Sequence, residues 1–248
     1  MSGWKKRQNS YRKPDHFTKM AKSEGYMARS VYKLEAIEER AHMLRGGAKV
    51  VDLGCFPGSW SQLALERIGP KGRLVGVDLK APEVIGAHWI PRSIYEVQSG
   101  ELIEALGGLA DVVLSDMAPN TTGTRDGDHY AQADLARRAL EVARMVLRPG
   151  GGFICKIFEG EEASGLQAAA NLAFKRVKRM RPDAVRKESR EWFLVCWDLK
   201  SSAQLVPEAV PVAPEEPPAP APGPTRQDRS EAEESGKRRA PVFDVDEW

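Results

Sequence analysis

The chain has 248 residues, of which 42% are hydrophobic, and a formal net charge of +2. This length can build one α/β domain with a full core, with a further segment outside it. No apolar run approaches the roughly 18 residues that a membrane span needs, and the charged N-terminus lacks the apolar stretch of a signal peptide, so we expect neither.

The low net charge conceals an asymmetry along the chain. Residues 1–33 carry nine Lys/Arg and two acidic residues, whereas residues 201–248 carry five Lys/Arg and ten acidic residues. Setting that tail (−5) apart from the total of +2 leaves residues 1–200 with a charge of +7. A basic body of this kind indicates a polyanionic partner.

The three cysteines, Cys55, Cys155 and Cys196, form no C-x-x-C pair and no cluster with histidine. This spacing predicts no metal site. Two of them fall within predicted buried strands, where an unpaired cysteine acts as a small hydrophobic residue. Such cysteines indicate a reducing, cytoplasmic location.

The chain begins with a basic arm and a helix. Residues 1–26 are largely polar and basic, and we expect this arm to be partly disordered. Apolar residues at three- and four-residue spacing then predict a helix over residues 27–44, which carries Lys33. Gly46 and Gly47 are expected to end it.

From residue 48 onward, predicted strands and helices alternate. The strands lie at 48–54, 73–79, 111–116 and 151–158, and the helices at 59–68, 101–108, 130–147 and 164–174, with an irregular stretch after residue 79. Two short strands, at 175–180 and 191–199, follow without a helix between them. The pattern predicts an α/β fold in which helices cover both faces of a mostly parallel sheet, with an antiparallel hairpin at one edge.

The composition changes after residue 200. Eight of the 17 prolines lie between residues 207 and 224, amid alanine and glutamate. Such a segment cannot bury a core. We therefore expect residues 27–200 to form the folded domain and residues 201–248 to be a disordered acidic tail.

A glycine turn follows the first strand, in VVDLGCFPGSWSQ. Gly54 and Gly58 allow sharp turns and a close approach of the backbone to a ligand. The middle glycine of G-x-G-x-x-G, which lets a pyrophosphate approach, is absent. Pro57 and Trp60 predict an apolar niche instead, which fits S-adenosylmethionine (SAM) better than a dinucleotide.

Asp78 ends the second predicted strand, 24 residues after Gly54. An acidic side chain at that place can accept hydrogen bonds from both ribose hydroxyls of an adenosine. The turn and Asp78 together favour SAM, with a nicotinamide dinucleotide as the alternative.

Three charged residues sit where strands deliver side chains to the carboxyl edge of the sheet, the edge at which open α/β sheets bind ligands. Asp116 closes VVLSD, Lys156 lies within FICKIF, and Glu191 opens EWFLVC. A lysine in a cleft beside a second cation, which Lys33 can supply, can be held neutral and act as a general base. The four residues predict a site that removes a proton from a weakly acidic hydroxyl, such as a ribose 2′-hydroxyl.

Six segments, in this order, resemble one known family. They are ARSVYKL, DLGCFPGSWSQ, GVDL, VVLSDMAPNTTGT, RPGGGFICKIFEGE and SREWFLV. The ordered set is similar to the FtsJ-type (RrmJ) family of ribosomal RNA large-subunit 2′-O-methyltransferases and covers roughly residues 11–199. The resemblance implies a Rossmann-like, SAM-dependent methyltransferase fold and 2′-O-methylation of a ribose, most typically a uridine of 23S ribosomal RNA.

The family uses a Lys-Asp-Lys-Glu tetrad, which carries over to Lys33, Asp116, Lys156 and Glu191. Glu188 does not match, because the glutamate of the motif directly follows Ser-Arg. The resemblance implies that Lys156 takes the proton from the 2′-hydroxyl and that Asp116 orients it. Lys33 and Glu191 would position the acceptor.

Family contacts to the cofactor carry over to Gly58, Trp60, Asp78 and Asp116. Ser93, aligned with a one-residue gap, stands where the family usually has an aspartate near the adenine. A serine hydrogen-bonds more weakly than a carboxylate, so we expect this difference to bear on cofactor affinity or adenine selectivity.

The segment 175–190 carries eight Lys/Arg and two acidic residues. Together with the basic residues of the N-terminal arm and of the helix that follows it, it predicts a track that binds RNA phosphates. Tyr11, Phe17, Tyr26 and Tyr32 lie among those basic residues and can stack on bases. We expect a monomeric protein whose partner is ribosomal RNA or the large ribosomal subunit.

Three other interpretations stay open. An NAD-linked oxidoreductase would need the dinucleotide glycine pattern and a hydride-site His or Tyr, for which the chain offers no candidate. A methyltransferase of the same family could act on transfer RNA or on the messenger RNA cap. A ribosome-assembly factor that binds RNA without catalysis would keep the fold, but the intact tetrad argues against it.

Overall fold

Six α-helices and seven strands follow each other in the part of the chain that the structure, a computed structural model, describes: residues 16–119 and 125–206. The helices are α1 His16–Glu24, α2 Val31–Ala41, α3 Ser59–Ile68, α4 Ser99–Leu106, α5 Arg125–Val146 and α6 Glu161–Ala173. The strands are β1 Lys49–Leu53, β2 Arg73–Asp78, β3 His88–Pro91, β4 Ala110–Ser115, β5 Leu147–Phe158, β6 Phe174–Met180 and β7 Glu191–Leu199.

The strands form one seven-stranded sheet in the order β3-β2-β1-β4-β5-β7-β6. The first five strands of the chain pair in parallel, whereas β7 runs antiparallel to both β5 and β6. The predicted mostly parallel sheet with an antiparallel hairpin is confirmed. Because β7 runs in the opposite direction, its first residue, Glu191, pairs with Phe158 at the carboxyl edge of the parallel strands.

Each face of the sheet is covered by its own set of helices. One core cluster joins the sheet to α4, α5 and α6, and the other joins it to α1, α2 and α3. Side chains alternate between the faces of a strand. In β5, Cys155 and Ile157 belong to the first cluster and Ile154 to the second, so Lys156 lies on the α2 and α3 side of the sheet.

The packed structure extends past the predicted limits of the domain at both ends. The helix α1 lies within the segment 1–26, and its Ala21 is buried. At the other end a 3-10 helix, Ser201–Ala203, buries Ala203, and the amide of Gln204 donates to the Leu147 carbonyl at 2.9 Å. The rest of the two segments that were predicted to be disordered, residues 1–15 and 207–248, lies outside the described residues.

Several predicted boundaries were wrong for local reasons. The helix α2 ends at Ala41 rather than 44, because His42 adopts a left-handed conformation (φ 51°). The stretch after residue 79 contains β3, a strand that buries only Ile90 and so gives no periodic signal. The helix α5 begins at Arg125 rather than 130, and residues 148–150 continue into β5 instead of forming a break.

No helix among the described residues is long and apolar enough to cross a membrane.

Candidate active site

The four predicted tetrad residues lie together at the carboxyl edge of the sheet. Lys33 comes from α2, Asp116 directly follows β4, Lys156 lies near the end of β5, and Glu191 begins β7. They form two ion pairs, one between Lys156 and Asp116 and one between Lys33 and Glu191. Four elements separated widely in sequence therefore converge on a single cluster of charge.

Lys156 is the most buried member of the cluster, with a side chain that is 5% exposed. Its Nζ donates to the backbone carbonyl of Asp116 at 2.7 Å and lies 3.2 Å from Asp116 Oδ1. That carboxylate oxygen makes no well-aligned hydrogen bond within the described structure. The amine is thus held by the end of the neighbouring strand, while Asp116 keeps capacity to accept a further hydrogen bond.

Glu191 interacts electrostatically with both lysines, its partner Lys33 and Lys156 of the other ion pair. Its Oε2 accepts a hydrogen bond from Lys33 Nζ at 2.8 Å. Burial alone would raise the pKa of Glu191, but the charges of Lys33 and Lys156 and hydrogen bonds from Lys33 and Ser189 bring the pKa below its ordinary value. The carboxylate is therefore ionised at neutral pH. Glu188, which the motif excluded, is exposed.

A pocket of about 230 Å³ lies next to the cluster. Residues from the β1–α3 turn, the end of β2, the segments after β3 and β4, and α5 line it, among them Gly54, Asp78, Ser93, Met117, Pro119 and Leu135. A side chain at Gly54 would lie within 3.0 Å of the Met117 backbone, so glycine is required where the turn meets the end of β4. Since Met117 directly follows Asp116, the lining of the pocket begins one residue from the tetrad.

Asp78 lies at the mouth of this pocket, where β2 ends. Its Oδ2 accepts the N–H of Phe56 at 3.0 Å, and its Oδ1 accepts the N–H of Lys80 at 3.3 Å. Each carboxylate oxygen has a second lone pair, so the two amides orient the group and leave it able to accept further hydrogen bonds. The carboxylate keeps the capacity to accept hydrogen bonds from a diol, and its contact with a ribose stays a prediction.

Gly58 and Trp60, the other predicted cofactor contacts, flank the start of α3. A side chain at Gly58 (φ 117°) would come within 2.6 Å of Val84, so glycine is needed there. The prediction that the Trp60 side chain shapes an apolar niche was wrong. The residue is 2% exposed, its indole donates to the Ser30 carbonyl at 2.8 Å and packs 5.7 Å from the Phe193 ring, so the side chain belongs to the core.

Ser93 lines the pocket, but its hydroxyl is engaged within its own turn, where it accepts the N–H of Tyr95 at 3.3 Å. Tyr95 also lines the pocket and donates its hydroxyl hydrogen to Asp134 at 2.5 Å. Ser93 would therefore form weaker hydrogen bonds to a bound adenine than an aspartate at the same position would.

Asp52 is a buried acid that the sequence did not single out. It lies in β1 with 0% exposure, and its Oδ2 accepts a hydrogen bond from Ser61 at 2.6 Å, whereas no described residue hydrogen-bonds to Oδ1. Burial raises the pKa of Asp52 to about 7; the bond from Ser61 opposes this rise and the charges of Asp116 and Asp78 add to it. In the sequence, the feature that could have indicated this buried residue is an acidic side chain within an apolar strand.

We expect Asp52→Asn to stabilise the protein more at pH 8 than at pH 5. Because the folded pKa of about 7 lies above the ordinary value for aspartate, stability falls as pH rises towards 7 and stays low above it. The neutral amide avoids this loss, so its gain in free energy of unfolding should be about 2–3 kcal/mol larger at pH 8. Urea unfolding at both pH values measures it, and an equal gain at both would refute the assignment.

Arg181 shapes the basic loop that precedes β7, a contribution that the sequence did not reveal. Its guanidinium donates to the backbone carbonyls of Ser189 at 2.7 Å and Arg186 at 3.2 Å. These hydrogen bonds fix the chain immediately before Glu191. The loop 182–190 is therefore a formed surface beside the tetrad.

Comparisons with known proteins agree with this geometry. The model of the FtsJ-like methyltransferase family matches residues 26–199. A ribosomal RNA large subunit methyltransferase E from Desulfatibacillum aliphaticivorans is 42% identical over 208 residues, which cover 83% of this chain and 99% of the relative. The protein of that name from Syntrophobacter fumaroxidans is 45% identical over 200 residues, 78% of this chain and 100% of the relative.

Among solved structures, a protein from Plasmodium falciparum assigned as a ribosomal RNA methyltransferase is similar to this chain. It superposes with a TM-score of 0.63 at 27% identity, over 70% of this chain and 98% of that one. The similarity extends over nearly the whole of that protein.

Proposed function

The chain belongs to the FtsJ-like methyltransferase family, and from that premise we propose that it uses SAM to methylate a ribose 2′-hydroxyl of large-subunit ribosomal RNA, with a uridine of the 23S molecule as the expected target. The observation that carries the proposal is the tetrad. Two lysines and two carboxylates lie in paired contact at the carboxyl edge of the sheet, next to the pocket that Gly54, Asp78 and Met117 line.

The residues present fit SAM as the methyl donor. Pockets that enclose a whole ligand of this size commonly have roughly 300–1,000 Å³. This pocket has about 230 Å³, so it would hold part of SAM and leave the rest in the open cleft. Asp78 would accept the ribose hydroxyls, and the backbone of Gly58 and Trp60 would face the methionine part. Asp116 would contact its charged end, and Ser93 would lie near the adenine. SAM, when bound, supplies an electrophilic methyl group on a sulfonium.

Lys156 is the proposed general base. With SAM supplying the methyl group, Lys156 Nζ would take the proton that the 2′-hydroxyl gives up. Asp116 contacts Nζ through its carbonyl and its carboxylate and so aims the amine. The Lys33–Glu191 pair is placed to hold the acceptor ribose. Holding both reactants in line can itself contribute several kcal/mol.

Basic residues on the loop before Glu191 and along the edge strand β6 support RNA as the acceptor. Three residues of β6, Lys175, Arg176 and Lys178, are exposed, as are Arg186 and Arg190 in the loop that Arg181 holds. Contacts of this kind bind phosphates without reading sequence, so they favour a polyanion but not a particular nucleotide. The names of the relatives favour large-subunit ribosomal RNA over transfer RNA or the messenger RNA cap.

Mapping 2′-O-methyl groups in ribosomal RNA tests the proposal directly. In cells that lack this protein, we expect one 2′-O-methyl group of the large-subunit RNA to disappear and to return when the protein is supplied. Incubating the purified protein and labelled SAM with large subunits from those cells should restore the mark. Restoration by an inactive tetrad variant, or a change confined to transfer RNA, would refute the assignment. We further propose that the protein acts as a cytoplasmic monomer.

A further inference from the structure

Gln132, on α5, is a buried polar side chain that contacts the backbone of Lys156. It is 2% exposed, and its Nε2 donates to the Lys156 carbonyl at 3.2 Å. The pairing between β4 and β5 ends at Ser115 and Cys155, so Lys156 lies one residue past it. Gln132 therefore supplies the hydrogen bond that a neighbouring strand would otherwise provide.

The surroundings of Gln132 are mostly apolar. It lies against a small void between α5, α6 and the end of β5, whose lining includes Ala136, Ile157 and Leu166 and two polar residues, His129 and Glu162. Within the described structure, Oε1 of Gln132 makes no hydrogen bond. A leucine or methionine would fill such a site without the cost of burying an amide. The bond to Lys156 is the contact that accounts for a glutamine at this position.

The position of the Lys156 backbone decides where its amine can reach. On one side, pairing with Phe193 of β7 holds the strand at this residue. On the other side, its carbonyl accepts hydrogen bonds from Gln132 and from the thiol of Cys155, which is a weak donor. The amine then contacts Asp116 at 2.7 Å. Loss of one tether would let the end of β5 shift, and the amine would shift with it.

We propose that Gln132 is a positioning residue for methyl transfer, which fixes the end of β5 and thereby the reach of Lys156. The inference rests on the proposed function, because it assigns Gln132 a part in that same reaction. Gln132 would affect the rate of the chemical step and leave the binding of SAM and RNA unchanged.

The chain contains a matched control at the opposite end of the same strand. Gln204 Nε2 donates to the carbonyl of Leu147, the first residue of β5, at 2.9 Å. Gln132→Met and Gln204→Met each remove one glutamine bond to a β5 carbonyl while keeping side-chain volume. Only the first lies next to the tetrad.

The test compares the two variants in single-turnover methylation of large subunits that lack the mark, together with thermal unfolding and titration of S-adenosylhomocysteine (SAH). We expect Gln132→Met to slow methyl transfer at saturating substrates by about tenfold, with the KM for subunits and the Kd for SAH unchanged. Gln204→Met should lose similar stability and keep its rate within about twofold. Gln132→Leu replaces Gln132→Met if the latter does not fold.

Equal rates for the two variants would overturn the inference and leave the proposed function intact. If Gln132→Met is slower because it binds SAH more weakly, the inference is overturned as well. If the unaltered protein transfers no methyl group to large subunits, the proposed function fails first, and the inference fails with it.

Discussion

Lys156→Ala should abolish methyl transfer while SAH binding and the fold persist. The substitution removes the proposed base, and general bases contribute on the order of 10²–10⁴ in rate. Lys156 is the tetrad member with the most buried side chain and contacts Asp116 through Nζ, so bulk water cannot readily take its place. Single-turnover methylation of ribosomal RNA measures the rate, and titration of SAH measures cofactor binding.

Two further variants make this result specific. Lys156→Met keeps most of the side-chain volume and should be as inactive as Lys156→Ala, which separates the loss of the amine from the loss of packing. Lys200→Ala is the matched control, because Lys200 Nζ also donates to backbone carbonyls, those of Asn171 and Leu172 at 3.0 Å. Lys200 directly follows β7, at the end of that strand opposite Glu191. Full activity in Lys156→Met would exclude Lys156 as the base.

Asp78→Ala should weaken SAH binding by about 10–100-fold, since hydrogen bonds to a charged group contribute about 1.5–3 kcal/mol. Asp78 offers both carboxylate oxygens at the mouth of the pocket, held by the amides of Phe56 and Lys80. Isothermal titration with SAH measures the dissociation constant. The fold should survive, because the two freed amides lie in exposed turns where water can reach them.

Asp111→Ala controls for the loss of a carboxylate that holds a backbone amide. Asp111 lies near the amino edge of the sheet and accepts the N–H of Lys49 at 2.8 Å, which is the kind of bond that Asp78 makes at the other edge. We expect its SAH affinity to match that of the unaltered protein. Equal affinity in Asp78→Ala would instead remove this residue from the cofactor site.

The alternation of strands and helices was sufficient to predict the sheet and the edge at which charged residues gather. Asp116, Lys156 and Glu191 could be placed there because each sits at or near a strand end, and strand direction fixes the edge. Lys33 needed the family resemblance, since nothing in the periodicity of α2 indicates which strand it faces. The structure brings all four together; their catalytic roles stay predictions.

Other contacts were not accessible from local pattern. Trp60 follows a glycine turn, and its sequence neighbours do not reveal that the indole reaches the Ser30 carbonyl, 30 positions away. Gln132 is one polar residue in an amphipathic helix, and its bond to Lys156 spans 24 positions. The end of α2 depended on His42 adopting a positive φ, a conformation that residues other than glycine seldom take.

The edge strand β6 affects the solubility of the protein as well as its binding of RNA. An edge strand presents unpaired backbone groups that can recruit a strand from another molecule, and charged side chains are a common protection against such pairing. Lys175, Arg176 and Lys178 project from both faces of β6, so two copies meeting edge to edge would bring like charges together. Neutralising these residues to weaken RNA binding would therefore also remove a barrier to aggregation.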